Sequence, residues 1–358
     1  MNDINAVTVP AQSASAASAS ADSVSAPASG VTHDIVCIGA SAGAIPTLQT
    51  LLGTLPGDFA GTLFVVVHMS PRGGSELAGI LSRAGTLPAV TAGDLVHWRP
   101  GCVYVAPADC HMLLEGEHVR VVRGPKENRH RPAIDPLFRS AAWSFGPRVV
   151  GVVLTGYLDD GAAGLWAVRS CGGVAVVQDP NDALFRDMPE NALNLLNVDH
   201  VLPVAEIGAL LVRLARQPVD TSRSYPRPES LRTEMEFAAM ERDRDIKDMG
   251  SLGKLSPFTC PACRGALWEL EEGDLLRYRC HTGHAYSSDS LILEQDGAIE
   301  EGLYSALRAV EEKATALRRL SERWRGRYPH LETDYLEKAD EMDRSAHALR
   351  HLLSQKSD

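Results

Sequence analysis

Four short apolar runs, rich in Val and Ile and separated by helical stretches, constrain this chain most. They are Ile35-Val36-Cys37-Ile38, Leu63-Phe64-Val65-Val66-Val67, Val149-Val150-Gly151-Val152-Val153-Leu154 and Val174-Ala175-Val176-Val177. None alternates apolar with polar residues, as a strand with one wet face would. They must be covered on both faces, and the helical stretches through Leu48 and Leu52 and from Ala162 supply the cover. The expected frame is α/β, a doubly wound, mainly parallel Rossmann-like sheet over residues 33–216. Residues 89–123 read as short strands and turns. There Val103-Tyr104-Val105 and Val119-Arg120-Val121-Val122, the latter after Glu115-Gly116-Glu117, predict a hairpin inserted on that frame.

The rest of the 358 residues divides by composition. Residues 1–32 open on an Ala/Ser-rich segment with 15 Ala or Ser among residues 11–30 and no Lys or Arg before residue 31. Such a segment has little to bury and is expected to be disordered. It lacks the basic and apolar regions of a signal peptide. Residues 217–258 read as a polar linker carrying one charged surface helix around Glu234–Asp248, and 259–290 as a Cys/His module. Residues 291–358 carry two helical stripes. One holds Ile299, Leu303, Ala306, Val310, Ala314, Leu317 and Trp324, the other Tyr335, Ala339, Met342, Ala346, Leu349 and Leu353. An antiparallel helical hairpin or a coiled coil that makes a homodimer would each satisfy them. The net charge of −11 argues against generic nucleic-acid or anionic-membrane binding, and no apolar window is long enough for membrane insertion. Scattered cysteines without a signal peptide fit a reduced, cytoplasmic protein.

The chemistry gathers at the ends of the strands. Gly39-Ala40-Ser41-Ala42-Gly43 follows the first strand and opens a helix. Small residues there let the backbone turn sharply, lift a hydroxyl into the open and leave amide N–H groups for an oxyanion. A phosphate-cradling turn would use the same small residues, but the middle position is Ser41 where the dinucleotide fingerprint has Gly. His68 ends the second strand on the same edge, where ligands of open parallel sheets bind. Thr155-Gly156-Tyr157-Leu158-Asp159-Asp160-Gly161 follows the third strand, and either Asp could orient His68 or cap the next helix.

These residues carry a resemblance. Ile38-Gly39-Ala40-Ser41-Ala42-Gly43, Val67-His68-Met69, Asn128-Arg129-His130-Arg131-Pro132, Leu154-Thr155-Gly156 and Asp160-Gly161-Ala162-Ala163-Gly164 follow one another in nearly half the chain. From Asp34 to about Val204 it resembles the catalytic domain of CheB-type chemoreceptor glutamate methylesterases. The resemblance implies Ser41 as nucleophile, His68 as general base and Asp160 as its orienting partner, with Asp159 a neighbour. It implies hydrolysis of glutamate γ-methyl esters on a methylated chemoreceptor, deamidation of receptor glutamines, and no cofactor for catalysis. Backbone amides at the Ser41 and Tyr157 turns would hold the oxyanion, and Arg129, His130 and Arg131 would either steer an acidic receptor helix or form a solvated basic loop. The chain departs from the family pattern at Ala42 and Ala44, and at Tyr157-Leu158-Asp159, where Met-Gly-Asn is usual. The family's N-terminal receiver domain is not expected, because the Ala/Ser segment is too short for one.

Cys260-Pro261-Ala262-Cys263 and Cys280-His281-Thr282-Gly283-His284 stand 16 residues apart, a spacing that fits tetrahedral Zn²⁺. The expected ligands are Cys260, Cys263, Cys280 and His284, with His281 the alternative fourth, in a structural zinc-ribbon-like module. A non-catalytic signalling adaptor, or an esterase for another protein ester, are the rival functions.

Overall fold

The protein is described here by a computed structural model covering residues 31–71, 76–220, 223–225, 227–240, 246–272 and 275–355. All but the last two residues of the expected disordered segment lie outside these. In chain order the first elements are β1 (Ile35–Ala40), α1 (Ala44–Gly53), β2 (Thr62–Val67), α2 (Glu76–Ser82), β3 (Ala89–Thr91), β4 (Val96–His97), β5 (Val103–Val105), β6 (His111–Glu115) and β7 (His118–Val122). Then come α3 (Ile134–Phe145), β8 (Val149–Val153), α4 (Ala162–Ser170), β9 (Val174–Gln178), α5 (Asp187–Leu195), β10 (His200–Leu202) and α6 (Val204–Leu214).

Seven strands pair in the order β10-β9-β8-β1-β2-β5-β3, every neighbouring pair parallel. The absence of alternation in β1 now has its reason. Ile35 and Cys37 enter the layer filled by α3 and α4, while Val36 and Ile38 enter the layer filled by α1 and α6. Each side chain so buried, Leu48 or Leu137 for instance, stabilises the fold by about 1.5–3 kcal/mol. The chain winds outward from β1 in both directions, so the sheet's switch point lies at β1, between β8 and β2.

One expectation is corrected here. Val103-Tyr104-Val105 is no part of a hairpin but β5 of the main sheet, buried between β2 and β3. Three residues are too few for a pattern to reveal which strands flank them. The inserted hairpin is β6–β7, turning at Gly116 with φ 53 and joined by β4. It packs on α3, where Ser140 Oγ accepts the Leu114 N–H at 3.0 Å.

The second part of the chain holds α7 (Glu229–Ala239), α8 (Ile246–Leu252), β11 (Lys254–Thr259), β12 (Ala266–Glu272), β13 (Leu275–Cys280), β14 (Ala285–Ser287), α9 (Ser288–Trp324) and α10 (Pro329–Gln355). Strands β11 to β14 form an antiparallel meander in sequence order. Helices α9 and α10 fold back on each other. Arg318 pairs with Asp343, Arg350 with Glu311, and Ser321 Oγ donates to the Glu332 carbonyl at 3.1 Å. Buried Ala314, Ser321, Ala339 and Ala346 keep that seam narrow. The predicted stripe fails at its start, where Ile299 is 50% exposed. The reason is length, since α9 has 37 residues against 27 in α10 and outruns it. No helix among the described residues is long and apolar enough to cross a membrane.

The expected surface helix of the linker is the second correction. The stretch is broken into α7 and α8, and α7 is not a surface helix, because Leu231, Glu234, Phe237 and Ala238 are buried. Glu234 is fully enclosed, and both of its oxygens bind Arg277, at 2.6 and 2.9 Å. Arg279 donates to Glu234 at 2.7 Å and to Glu127 at 2.9 Å, and Arg139 of α3 reaches Glu127 as well. Burial opposes the charge on both glutamates, yet the surrounding guanidinium groups hold their carboxyls below the usual range. An ionic cluster therefore joins the parallel-sheet unit, α7 and the meander.

Candidate active site

Strands β8, β1 and β2 are neighbours, and each delivers a residue to the same carboxyl edge. Ser41 follows β1, in a turn made by Gly43 at φ 76 and held by its own N–H, which donates to the Thr155 carbonyl at 2.9 Å. Gly156 lies against it so closely that a Cβ there would stand 2.8 Å from the Ser41 Cβ and 2.1 Å from Met188 Sδ. His68 follows β2, its N–H donating to the Ala40 carbonyl at 3.2 Å. Asp160 follows β8 and precedes α4.

The three side chains form a relay. Ser41 Oγ lies 3.1 Å from His68 Nδ1, and His68 Nε2 lies 2.7 Å from Asp160 Oδ2. With Nε2 donating to the carboxylate, Nδ1 is free to accept from the serine hydroxyl. Asp160 is 2% exposed and well anchored. Oδ2 also accepts the Ile134 N–H at 2.7 Å, and Oδ1 accepts from Asn128 Nδ2 at 3.0 Å. Burial disfavours its charge, but the His68 contact, the Ile134 amide and Asn128 together hold its carboxyl far below the ordinary value. The neighbouring Asp135 is pushed the other way by burial and by the Asp160 charge.

Beside the relay opens a cleft of about 420 Å³, lined by Ser41, Ile45, Pro46, His68, Met69 and Leu77 among others. Its walls are mostly aliphatic, suited to a small apolar group next to a reacting carbonyl. Ser41's own amide is used by Thr155, and that of Gly156 by the Phe185 carbonyl. Among the described residues, no protein acceptor meets the amides of Ala42 and Tyr157. Leu158 sits at φ 63, in the left-handed region that glycine prefers.

The other predicted residues fall as follows. Asp159 turns away from His68 and accepts from Ser287 Oγ at 2.8 Å, and burial pushes its carboxyl up to about 6. Arg129 is paired with Glu294 at 2.6 Å, while Arg131 donates to Asp109 at 2.6 and 2.9 Å. Arg131 thus ties the loop to its surroundings, while Arg129 stays exposed although it is paired. His130 stacks on His68, ring centroids 3.6 Å apart, and burial followed by the His68 charge lowers it to about 4. Cys260, Cys263, Cys280 and His284 converge, their ligand atoms all within 4.8 Å of one another, a group that could hold a metal ion. His281, the alternative fourth ligand, is not in that group.

Sequence reasoning missed Asn128 and Glu127 as individuals, although Asn128 opens one of the matched stretches. The signal available was slight: an Asn in the left-handed region, here at φ 45, is a common turn residue.

The CheB methylesterase family profile matches residues 36–211. A protein of Leptospira interrogans, provisionally named a protein-glutamate methylesterase/protein-glutamine glutaminase, is 36% identical over 51% of this chain and 96% of its own. Protein-glutamate methylesterase/protein-glutamine glutaminase 3 of Rhodopseudomonas palustris is 38% identical over 55% of this chain and 56% of its own. The chain thus spans little more than half the length of that second relative. The Thermotoga maritima CheB methylesterase catalytic domain, a crystal structure, is 31% identical over 51% of this chain and 98% of its own, with a TM-score of 0.49. Nearly full coverage of the Leptospira protein at 36% identity, over the segment that carries the relay, places the chain in a family. This protein belongs to the CheB methylesterase family.

Proposed function

We propose that the chain hydrolyses glutamate γ-methyl esters on a methylated chemoreceptor, and deamidates glutamines there, with Ser41, His68 and Asp160 as a catalytic triad. The observation that carries this reading is the relay of 3.1 and 2.7 Å at the mouth of an aliphatic cleft on the sheet's switch point. Ser41 Oγ attacks the ester carbonyl while His68 Nδ1 takes its proton. Asp160, kept ionised, holds the imidazole with its Nε2 proton inward and stabilises the imidazolium that forms. The amides of Ala42 and Tyr157 receive the developing oxyanion. His68 then protonates the departing methanol, and water cleaves the acyl-enzyme by the same transfers in reverse. Deamidation follows the same course, with ammonia leaving in place of methanol.

The Cys/His group belongs to the same proposal as a structural zinc site. Three thiols and an imidazole suit Zn²⁺, and tetrahedral bonds of about 2.3 Å to sulfur put ligand atoms about 3.8 Å apart. Cys263 Sγ and Cys280 Sγ are 3.7 Å apart, and His284 Nδ1 lies 3.6 Å from Cys280 Sγ and 3.8 Å from Cys260 Sγ. Bound there, the ion would cross-link the β11–β12 and β13–β14 turns and take no part in the ester chemistry. A Cys280→Ser variant is expected to lose stoichiometric zinc by elemental analysis, and full retention would refute the ligand set.

Methanol release from a methylated chemoreceptor fragment tests the function. The intact protein should release it, and Ser41→Ala should be slower by about 10⁶-fold, the scale set by removing a serine nucleophile. Release that survives Ser41→Ala would sink the mechanism. An inactive intact protein on every methylated receptor tried would favour an adaptor.

A further inference from the structure

Asn128 stands between Asp160 and the C-terminal meander. It is 6% exposed, and its carboxamide is used in both directions. Nδ2 donates to Asp160 Oδ1 and to Asp135 Oδ2, at 3.0 Å each. Oδ1 accepts the Ser287 N–H at 3.0 Å and the Ser290 hydroxyl at 3.3 Å. The Asn128 N–H donates to the Ala285 carbonyl at 2.9 Å, so the backbone of the 126–128 segment runs alongside β14. Both donors to Oδ1 belong to the corner where β14 ends and α9 begins. Ser287 caps α9, its Oγ accepting the Ser290 N–H at 3.1 Å, and Ser290 is fully buried.

The geometry points to Asn128 as a positioning residue for Asp160, held in its working orientation by Ser287 and Ser290. The β14–α9 corner is then part of the esterase site and not an appendage to it. This inference rests on the reading of Ser41, His68 and Asp160 as the triad. Its physical content is a division of labour at the carboxylate. Oδ2 is fixed by Ile134 and His68, whereas Oδ1 has Asn128 at 3.0 Å and otherwise the Asp135 N–H at 3.3 Å. Without Nδ2 the carboxylate can rotate about its Cβ–Cγ bond and carry the His68 ring with it. Without the two serine donors the carboxamide itself is free to turn, and its oxygen rather than its nitrogen can face Asp160. A catalytic imidazole is sensitive to such errors, since a shift of about 1 Å can cost about 100-fold in rate.

Electrostatics gives the same residue a second signature. Each hydrogen bond donated to Asp160 draws off charge that His68 would otherwise feel, so losing one makes the imidazole more basic. Other charged or titratable groups facing the pair are His130 stacked on His68, the buried His111, Asp135 and Asp159 beside Asp160, and Arg139 and Arg129 behind them. A substitution at Asn128 also removes a donor to Asp135, whereas Ser290 contacts none of these groups directly.

The test uses the full chain and a glutamate γ-methyl ester peptide, with Asn128→Ala, Ser290→Ala, the double variant and Asn128→Leu. Asn128→Ala should lower kcat about 10- to 100-fold with KM nearly unchanged, the usual scale for a residue that orients a reacting group. Ser290→Ala should lower kcat about 3- to 10-fold, and the double variant should match Asn128→Ala alone, because Ser290 acts through Asn128. Asn128→Leu keeps the side-chain size but can neither donate to Asp160 nor accept from the two serines, so it should be as impaired as Asn128→Ala. In all four the acidic limb of the kcat/KM profile should move to higher pH, and the low-field proton resonance of His68 Nε2–H should shift upfield. Multiplicative losses, wild-type activity in Asn128→Leu, or an unmoved pH profile would overturn the inference. If the intact protein hydrolyses no ester, the triad reading fails separately. The imidazole resonance then decides this one, and an unmoved signal in Asn128→Ala would overturn it.

Discussion

The two joints that build this molecule are made of different materials. Where helices cover the parallel sheet, the contact is apolar throughout: Val36, Ile38, Leu48, Leu51 and Leu211 on one face, Phe64, Leu137, Phe138 and Leu165 on the other. Where the C-terminal meander meets the sheet unit, the buried charges Glu127, Arg139, Glu234, Arg277 and Arg279 lie among apolar α7 residues such as Leu231 and Phe237. Apolar contacts are non-directional and tolerate sliding, which suits a core that needs density. Charges buried in pairs tolerate no sliding, because each guanidinium must meet its carboxylate in one geometry. The joint next to Asn128 thus gains a fixed register at the cost of desolvation, and the catalytic edge is attached to the joint that cannot slip.

That contrast can be broken by substitution, most severely first. Glu234→Ala leaves Arg277 and Arg279 enclosed without their carboxylate and should destabilise the protein by about 3–5 kcal/mol in denaturant unfolding. A loss under 1 kcal/mol would mean that water enters the cluster freely. Leu137→Ala, a cavity in the apolar layer, should cost about 2–5 kcal/mol. The two variants should differ in their response to acid. Glu127 and Glu234 titrate below their usual value of 4.5 when folded, so their contribution is complete above that pH and is lost as the pH falls beneath it. Glu234→Gln should therefore flatten the fall in melting temperature between pH 5 and pH 3, whereas Leu137→Ala should lower the curve without changing its shape. His130 acts over a higher window. Lowered from 6.5 to about 4 by burial, it favours the fold above pH 6.5 and withdraws that contribution as the pH drops towards 4. Melting curves of His130→Gln should be flatter across that interval than those of the intact protein. The smallest effect belongs to the exposed pairs of the helical hairpin. Arg318→Ala, removing a partner of Asp343, should change stability by about 0.2–1 kcal/mol, and less at high salt.

How far the sequence could be read follows from the same contrast. The strands β1, β2, β8 and β9 were legible because burial on both faces writes an unbroken apolar run. Ser41 and His68 were legible because each follows such a run, whereas the choice of Asp160 over Asp159 rested on the family resemblance. The short strand β5 was not legible, since Val103-Tyr104-Val105 has the same composition whether it sits in a hairpin or in the main sheet. The stretch around Glu234 was misread for a sharper reason. A buried glutamate and a solvated one are the same letter, and what separates them is a guanidinium more than forty positions away.

Periodicity and local spacing are short-range properties, and they determined the parallel frame, the turn that presents Ser41 and the two Cys/His pairs. The turn of Asp159 towards Ser287, the stacking of His130 on His68 and the clasp of Asn128 by the β14–α9 corner were decided by tertiary structure alone. Each depends on where a polar atom finds its partner once water has been excluded. Such partners come from segments distant in the chain, and hydrogen bonds between them leave no period in the sequence.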